Sequence, residues 1–398
     1  MKKPTVLCLI ALLWIIPHAA ADTHTAYTAD SGYYQITSYV NEEHAREMAV
    51  ELSTLFDFYN SYFHFDPSVL PHALQVKIFA TRQEYDDYIS RFIDDPREDF
   101  VYLHYSDPQR SELVGVADDT RENRMALSHQ GFIQFLRSFI PNPPLWMREG
   151  FAVYFENLRY EPEFDSISYR ENLSWLETLK SELDNGLFDE LSPEQLLHID
   201  VETAQEHLEN FYPRAWGLVS FLLHSPVREY NRLLWDSISA LDPNNSLNEN
   251  NQSVIEQAFE WIDPAVFTED LYFYIETRQT FRGLVQDGIQ LYAEDSHGRA
   301  EQRFIQALNL QDGNYIPYYY LGLINYSRGN YALADFYYTT ALELGADEPV
   351  TLYALGVNAY ADDRFDEAVE LLMEARAIAP EEYQEKADQL ITRIQEEV

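Results

Sequence analysis

The sequence predicts an α+β domain with a small sheet and several helices, followed by an all-α array of helical repeats. Three observations support this fold class. Short runs of β-type residues alternate with helical patterns between residues 31 and 116. Residues 125–156 have the apolar spacing of two helices that are interrupted by prolines. From about residue 281 onward, the sequence repeats with a period of 34 residues.

The first 21 residues have the features of a secretory signal peptide. Lys2 and Lys3 precede an apolar run over residues 6–16, which is too short to span a bilayer, and alanines follow at residues 19–21. Cys8 is the only cysteine and lies inside this segment, so the mature chain would form no disulfide. We therefore expect a periplasmic or secreted protein without membrane insertion.

The chain is strongly acidic. Its formal charge of -40 would become -42 without Lys2 and Lys3, and such a charge repels nucleic acid and anionic membrane surfaces. With 46% hydrophobic and 15% aromatic residues, the chain is not a disordered acidic segment. Its length exceeds a single ordinary core, so we expect two domains.

The α+β domain is predicted over residues 22–276. Strand patterns lie at residues 31–40, 73–79, 100–105 and 113–116. Asn41 is a suitable cap for a long helix, and Thr81 with Glu84 forms a capping box ahead of a helix that reaches residue 92. The inner face of the first helix is predicted to carry Ala45, Met48, Leu52, Leu55, Phe56 and Tyr59.

The most unusual stretch lies at residues 125–156. Its first helix has an apolar stripe that includes Met125, Phe132, Ile133, Leu136, Phe139 and Ile140. His129 lies on this stripe, and Glu149 lies on the apolar face of the second helix. Because a buried carboxylate needs a partner, these two polar residues on adjoining apolar faces indicate a site.

This stretch resembles the zinc site of the gluzincin (peptidase-MA-like) metallopeptidases. That family carries His-Glu-x-x-His on one helix and the third zinc ligand one helix later, in a Trp-x-x-Glu-Gly-x-Ala-x-Tyr context. Residues 146–156 match the second half closely, so Glu149 corresponds to the third ligand. The first half reads His-Gln-x-x-Ile, with His129 followed by Gln130 and Ile133.

The two departures from the motif remove parts that a zinc hydrolase needs. Ile133 cannot bind zinc, so only His129 and Glu149 remain of three protein ligands. Gln130 has no titratable oxygen and cannot accept a proton from water. We therefore expect no catalytic activity and no cofactor, with zinc as the alternative.

Several interpretations of the two site residues remain open. His129 is a surviving metal ligand, a hydrogen-bonded core histidine or a partner of Glu149, and we favour a His129/Glu149 pair in the vacated zinc site. Glu149 also suits the first turn of a helix, where the dipole favours a carboxylate. His207 and Glu209 are further candidate ligands, although their spacing does not favour this role.

The remainder of the domain is predicted to be helical with acidic loops. A helix is expected over residues 211–224, where the resemblance implies that Tyr212 reaches the oxyanion of a substrate. Residues 241–252 are rich in asparagine and are predicted to form an exposed loop.

The repeats begin at about residue 281. Four sets of residues recur at intervals of 34: Gly288, Gly322 and Gly356; Ala300, Ala334 and Ala368; Phe304, Tyr338 and Leu372; Ala307, Ala341 and Ala375. The pattern resembles tetratricopeptide repeats, in which small residues lie where helices cross closely. It predicts three repeats over residues 281–382 and a capping helix over residues 383–398.

In tetratricopeptide proteins the first helix of each repeat lines a concave groove. Aligning the repeated glycines places Tyr292, Tyr326 and Tyr360 at one groove-facing position, and Tyr319 and Tyr353 at another. These tyrosines either bind a partner or pack between helices. Among the matching positions only Arg282 is basic, so we expect the groove to bind a segment with apolar anchors and basic residues.

Together, these features predict an exported, catalytically inactive peptidase-like protein that binds peptide or protein partners through its cleft and its repeat groove. One alternative is an active zinc-dependent metallopeptidase with an unconventional ligand set. Another is a purely structural assembly scaffold. No glycine-rich phosphate loop or basic aromatic patch in the sequence favours nucleotide or nucleic-acid binding.

Overall fold

The computed structural model describes residues 25–93, 98–187 and 191–397. This part of the chain has a mixed α+β architecture, in which an N-terminal five-stranded sheet precedes a long helical region. The signal peptide predicted at residues 1–21 lies outside the described residues. Within them, no helix has both the length and the apolar character required to cross a membrane.

The sheet contains β1 (Tyr27–Ser31), β2 (Tyr34–Ser38), β3 (Leu74–Phe79), β4 (Phe100–Leu103) and β5 (Glu112–Val116). Their spatial order is β1-β2-β3-β5-β4. The β2–β3 and β3–β5 pairs are parallel, whereas the two outer pairs are antiparallel. Strand β4 therefore lies at one edge, beside the helix that carries His129.

The strand predicted over residues 31–40 is confirmed in part as β2, but its first residues belong to the end of β1 and to a turn. β1 and β2 form an antiparallel hairpin in which Tyr27 pairs with Ser38 and Ser31 pairs with Tyr34. Gly32 occupies the turn with a φ of +39°, a left-handed conformation that glycine adopts without a Cβ clash. The alternating pattern continues through the turn, so periodicity alone did not reveal it.

The described chain up to residue 169 also contains four helices and a second hairpin. They are α1 (Glu42–Phe63), α2 (Arg82–Ile89), α3 (Arg121–Phe139), α4 (Leu145–Phe155), β6 (Leu158–Glu161) and β7 (Ser166–Tyr169). The Asn41 side chain accepts a hydrogen bond from the His44 N–H at 2.8 Å, and the capping box of Thr81 and Glu84 is formed. All six inner-face residues predicted for α1 are buried, so these local predictions are confirmed.

The next helices are α5 (Ser174–Asp184), α6 (Pro193–His198), α7 (Val201–Glu206), α8 (Leu208–His224), α9 (Arg228–Ser239), α10 (Leu247–Val254) and α11 (Pro264–Thr277). Helix α8 begins three residues earlier than predicted, so Pro213 lies inside it. A shared core joins these helices to α1, α3, α4 and one face of the sheet. Much of that core is aromatic, as where the rings of Phe132 and Phe155 meet with centroids 5.2 Å apart.

The exposed loop predicted over residues 241–252 is wrong in its second half, where α10 begins. Ser246 and Glu249 form a capping box that starts α10, and Asn250 is fully buried. The Asn250 amide donates to the carbonyl oxygens of Asn142 at 2.9 Å and Asp242 at 3.2 Å. Hydrogen bonds to distant backbone therefore bury a residue type that is usually found in loops.

The final part of the chain consists of three helix pairs and a last helix. These are α12 (Phe281–Ala293) with α13 (His297–Leu310), α14 (Tyr315–Ser327) with α15 (Tyr331–Glu343), α16 (Glu348–Ala361) with α17 (Phe365–Ile378), and α18 (Pro380–Glu397). Ala300, Ala334 and Ala368 are each fully buried. On α18, Tyr383 and Ala387 are buried as the amphipathic pattern predicts.

The repeated glycines lie where the two helices of each pair cross. A Cβ atom added to Gly288 would lie 2.6 Å from the ring of Phe304, and one added to Gly322 would lie 2.5 Å from the ring of Tyr338. At Gly356 the same atom would lie 2.9 Å from Leu372. A glycine on one helix thus leaves room for a large side chain of the partner helix. This contact explains why the glycine and the large residue both recur every 34 residues.

Candidate functional site

Helices α3 and α4 bring together the two residues that the sequence singled out. The Nε2 atom of His129 lies 3.5 Å from Oε2 of Glu149, and the Glu149 side chain is 8% exposed. Glu149 lies in the second turn of α4, beyond the first turn where the helix dipole acts most strongly. Its position is thus explained by its side-chain partners.

The close approach of α4 to α8 fixes the position of Glu149. Gly150 follows Glu149, and a Cβ atom on Gly150 would lie 2.4 Å from the carbonyl oxygen of Ala215 on α8. Trp146 and Ala152 on the same helix are fully buried. The Trp-x-x-Glu-Gly-x-Ala segment therefore packs against α8 and presents its carboxylate to α3.

Arg148 is the second partner of Glu149, and the sequence analysis missed it. Its Nε atom donates to Oε1 of Glu149 at 2.6 Å. Burial opposes the charged form of Glu149, but the charge of Arg148 and the hydrogen bond with His129 outweigh burial and lower the pKa of Glu149 to about 2. Adjacent residues on a helix do not normally face each other, so the spacing gave no signal for this pair.

Two further basic side chains surround this cluster. Arg137 on α3 donates from Nε to the carbonyl oxygen of Pro141 at 2.9 Å, and burial together with the charge of Arg148 lowers the pKa of Arg137 to about 10. Burial and the charges of Arg137 and Arg148 lower the pKa of His104 to about 4. Glu149 therefore lies beside the guanidinium of Arg148 and near that of Arg137.

Gln130 and Ile133 both serve the fold. The Oε1 atom of Gln130 accepts a hydrogen bond from the backbone N–H of Tyr102 on β4 at 3.2 Å. Ile133 is 8% exposed and belongs to the main core. Gln130 therefore ties α3 to the edge strand, and Ile133 makes apolar contacts in the core.

Tyr212 reaches the same site from α8. Its ring centroid lies 6.5 Å from that of His129, and burial followed by the charge of Glu149 raises the pKa of Tyr212 to about 12. Tyr212, His129 and Gln130 line one cavity of about 800 Å³, which we call the His129 cavity. The cavity also includes Phe100 of the edge strand.

The residues present do not fit a zinc ion of the type that the resemblance implies. Within the described ranges, no group of three or more His, Cys, Asp or Glu side chains could hold a metal, and His207 and Glu209 do not complete one. His129 and Glu149 supply two donors, and the guanidinium of Arg148 occupies the other carboxylate oxygen of Glu149. A cation beside that carboxylate supplies the positive charge that zinc would bring.

The five tyrosines predicted to face the groove are all partly buried, and each ring meets another aromatic ring. Tyr353 lies 5.1 Å from Tyr383 between ring centroids, and Tyr292 stacks on His297 at 5.0 Å. The other three tyrosines also meet rings, as Tyr319 does with Tyr338, Tyr326 with Tyr331 and Tyr360 with Phe365. These rings therefore contribute to helix packing as well as to the surface.

Comparisons with known proteins provide no independent guide to the site. No protein-family model matches the chain, and no curated protein matches its sequence. The case for a function therefore rests on the residues and geometry described above.

Proposed function

We propose that this protein is an exported, non-hydrolytic polypeptide-binding protein. In this proposal, residues 22–276 form a gluzincin-like domain without peptidase activity, and residues 281–382 form three tetratricopeptide repeats. One observation carries the loss of activity: the Glu149 carboxylate is held by Arg148 at 2.6 Å and faces His129 at 3.5 Å. Glu149, which would bind zinc in a gluzincin site, is instead one member of an ion-pair cluster.

The lack of a general base supports the same conclusion. Gln130 cannot accept a proton from water, and its amide oxygen is already bonded to the Tyr102 N–H. Tyr212 remains near the site, but an oxyanion-stabilising hydroxyl cannot replace a missing nucleophile. At the two motif positions, Gln130 activates no water and Ile133 binds no zinc, whereas the cavity beside them offers room to bind and orient a peptide.

The edge strand supports binding of an extended peptide. The Asp99 carbonyl oxygen accepts from the Val116 N–H at 3.1 Å, so the alternation of an antiparallel pair directs the backbone of Phe100 and Tyr102 away from β5. Because Gln130 already accepts from the Tyr102 N–H, the groups that remain for a peptide are those of Phe100 and the Tyr102 carbonyl. Outward backbone groups of an edge strand pair with an added peptide strand. Phe100 and Val101 also line the His129 cavity, which gives such a peptide room for side chains.

Peptide binding can be measured with a library of fluorescein-labelled peptides and fluorescence anisotropy. Met125 lines the His129 cavity, so we expect Met125→Trp to fill part of it and weaken binding by about tenfold or more. The matched control is Met373→Trp, because Met373 is 47% exposed on α17 and lies outside this cavity.

Each peptide is also analysed by mass spectrometry after incubation with added zinc. We expect peptides that bind without being cleaved. Their affinity should fall in the Met125→Trp variant and stay unchanged in the Met373→Trp variant. Cleavage that a chelator stops would favour the zinc peptidase instead. If no peptide in the library binds, or if both tryptophan variants bind like the wild type, the proposed function is wrong.

A further inference from the structure

The His129 cavity is acidic. The described residues that line it include neither lysine nor arginine, and they include four acidic residues: Glu98, Asp99, Glu122 and Glu156. His129 also lines the cavity, but its ring faces the carboxylate of Glu149 at 3.5 Å. The charge of the described lining therefore has the sign that attracts a cationic ligand.

Three of these four carboxylates have no cationic partner among the described residues. Asp99 is paired, since Nη1 of Arg82 lies 2.5 Å from its Oδ1 atom. Glu98 and Glu122 are exposed and form no ion pair with a described residue. Water solvates an exposed carboxylate, so these two contribute mainly to the field of the cavity. The case for a specific site depends on Glu156.

Glu156 is a buried carboxylate that only neutral groups contact. It is 8% exposed, and its Oε1 atom accepts from Nδ2 of Asn172 at 2.5 Å and from Nε1 of Trp175 at 3.0 Å. Its Oε2 atom bonds to no described residue. Glu156 also lines an adjoining cavity of about 1090 Å³ that contains arginines, yet none of them forms an ion pair with it. One carboxylate oxygen is therefore available to a ligand.

The fold alone does not account for the charge of Glu156. The residue caps the C-terminal end of α4, where the helix dipole disfavours a negative charge. A glutamine could accept the hydrogen bonds of Asn172 and Trp175 through its amide oxygen, without burying a charge. Because a buried charge needs a partner, Glu156 indicates a cation that binds in the cavity.

Trp175 adds an aromatic surface beside this carboxylate. Its half-buried side chain lines the His129 cavity while its indole N–H donates to Glu156. The face of an indole attracts lysine and arginine side chains, and a guanidinium can stack on a ring while it bonds to a carboxylate. A free carboxylate oxygen next to a tryptophan therefore favours a basic side chain, and arginine above lysine.

Resting on the proposed peptide-binding function, we propose that Glu156 and Trp175 bind an arginine or lysine side chain of the peptide that occupies the His129 cavity. A peptide fits better than a free cation because Phe100 of the edge strand lines the same cavity. The outward backbone groups of Phe100 pair with the main chain of an added strand, and the acidic wall then receives one of its side chains.

The test measures fluorescence anisotropy with two short peptides of alternating Val and Ser residues, each labelled with fluorescein at its N terminus. One has a central Arg, and the other has citrulline there, which is neutral and of nearly the same shape. We expect the wild type to bind the Arg peptide at least about tenfold more tightly. The Glu156→Gln variant, which keeps an acceptor for Trp175, should bind both peptides alike.

Glu229→Gln is the matched control. Glu229 is exposed on α9, forms no ion pair with a described residue and lies outside the cavity, and its replacement changes the net charge by the same amount. This variant should keep the preference for Arg. Equal loss of preference in both variants would mean that only the overall charge of the protein acts, and the proposal would be wrong.

Thermal unfolding distinguishes a binding role of Glu156 from a structural one. The Glu156→Gln variant should be at least as stable as the wild type, because it removes a buried charge that lacks a partner. A marked fall in melting temperature would assign the charge to the fold and overturn the proposal.

Two competitors identify the cationic group that is bound. An unlabelled citrulline peptide with a free N terminus should compete weakly, since the proposed site binds a side chain. Competition as strong as that of the unlabelled Arg peptide would assign the site to an N-terminal amine instead. Equally strong competition by spermidine would assign it to a small polyamine, and either result would overturn the proposal.

The same measurements separate this inference from the proposed function. If the Arg and citrulline peptides bind equally well to the wild type and Met125→Trp weakens both, the cation site fails while the proposed function survives. If neither peptide binds and the peptide library also yields no ligand, both fail.

Discussion

Glu149 is a buried carboxylate that remains ionised because Arg148 and His129 lie beside it. Its pKa falls from an ordinary value of 4.5 to about 2, although burial acts in the opposite direction. This arrangement gives the residue a structural role that does not depend on a metal. It also gives the site a measurable pH dependence.

Lowering the pH should remove the stabilisation that ionised Glu149 provides. Because its folded-state pKa lies below the ordinary value, this contribution is present above about pH 4.5 and is lost as the pH falls through about 2, with a size of about 3 kcal/mol. Urea unfolding of the wild type and of Glu149→Gln between these pH values measures it. The wild type should lose more stability than the variant, and parallel curves would contradict the assignment.

Introducing the two residues that the proposed gluzincin-like site lacks tests whether the site has the geometry to bind zinc. We expect the double variant Gln130→Glu and Ile133→His to bind one zinc ion per chain by calorimetry, because His129 and Glu149 already face each other. Replacing the buried Ile133 should cost the metal-free form about 1–3 kcal/mol.

The control for this experiment is the single change Gln130→Glu, which adds no third ligand and should bind no zinc. A folded double variant that also ignores zinc would mean that Arg148 keeps the carboxylate of Glu149 from the metal.

Each helix pair of the C-terminal region depends on a glycine that leaves room for a large side chain of the partner helix. We expect Gly322→Ala to destabilise the α14–α15 pair by about 1–3 kcal/mol, because the added Cβ would lie 2.5 Å from the ring of Tyr338. Gly313→Ala is the matched control, since no atom lies within 4 Å of its added Cβ. Circular-dichroism melts compare the two, and equal stability would contradict the packing argument.

The tyrosines of the repeats need a test that separates packing from binding. Changing Tyr319, Tyr326, Tyr353 and Tyr360 together to Ser should lower the melting temperature, because each half-buried ring contacts another aromatic ring and its loss costs about 1–2 kcal/mol. The matching changes to Phe should preserve the melting temperature. An unaltered melting temperature in the Ser variant would place the rings on a free groove surface.

For the whole molecule, the net charge of -40 opposes compaction through self-repulsion. Raising the salt concentration from about 0.01 to 0.15 M shortens the Debye length from about 30 to 8 Å and weakens this repulsion. We therefore expect the melting temperature to rise with NaCl over this range. A fall would mean that screened attractive ion pairs, such as Arg170 with Asp312, outweigh the repulsion.

The sequence by itself determined the features that depend on neighbours along the chain. Helix caps such as Asn41 and the capping box of Thr81 were predictable because their hydrogen bonds span three residues. The period of 34 located the helix pairs, since each repeat places the same small residue at the same crossing. The apolar stripes of α3 and α4 also led to His129 and Glu149, because the two helices are consecutive.

Only the tertiary structure decided the features that combine distant segments. Arg148 is adjacent to Glu149 in the chain, yet helical spacing does not predict that its guanidinium bonds to that carboxylate. The burial of Asn250 required the carbonyl of Asn142 from another part of the chain. A cavity of about 1090 Å³ likewise is lined by residues of α3, the β6–β7 hairpin and α12. A periodic pattern reports which face of an element is apolar, whereas the groups that meet across elements depend on how those faces pack.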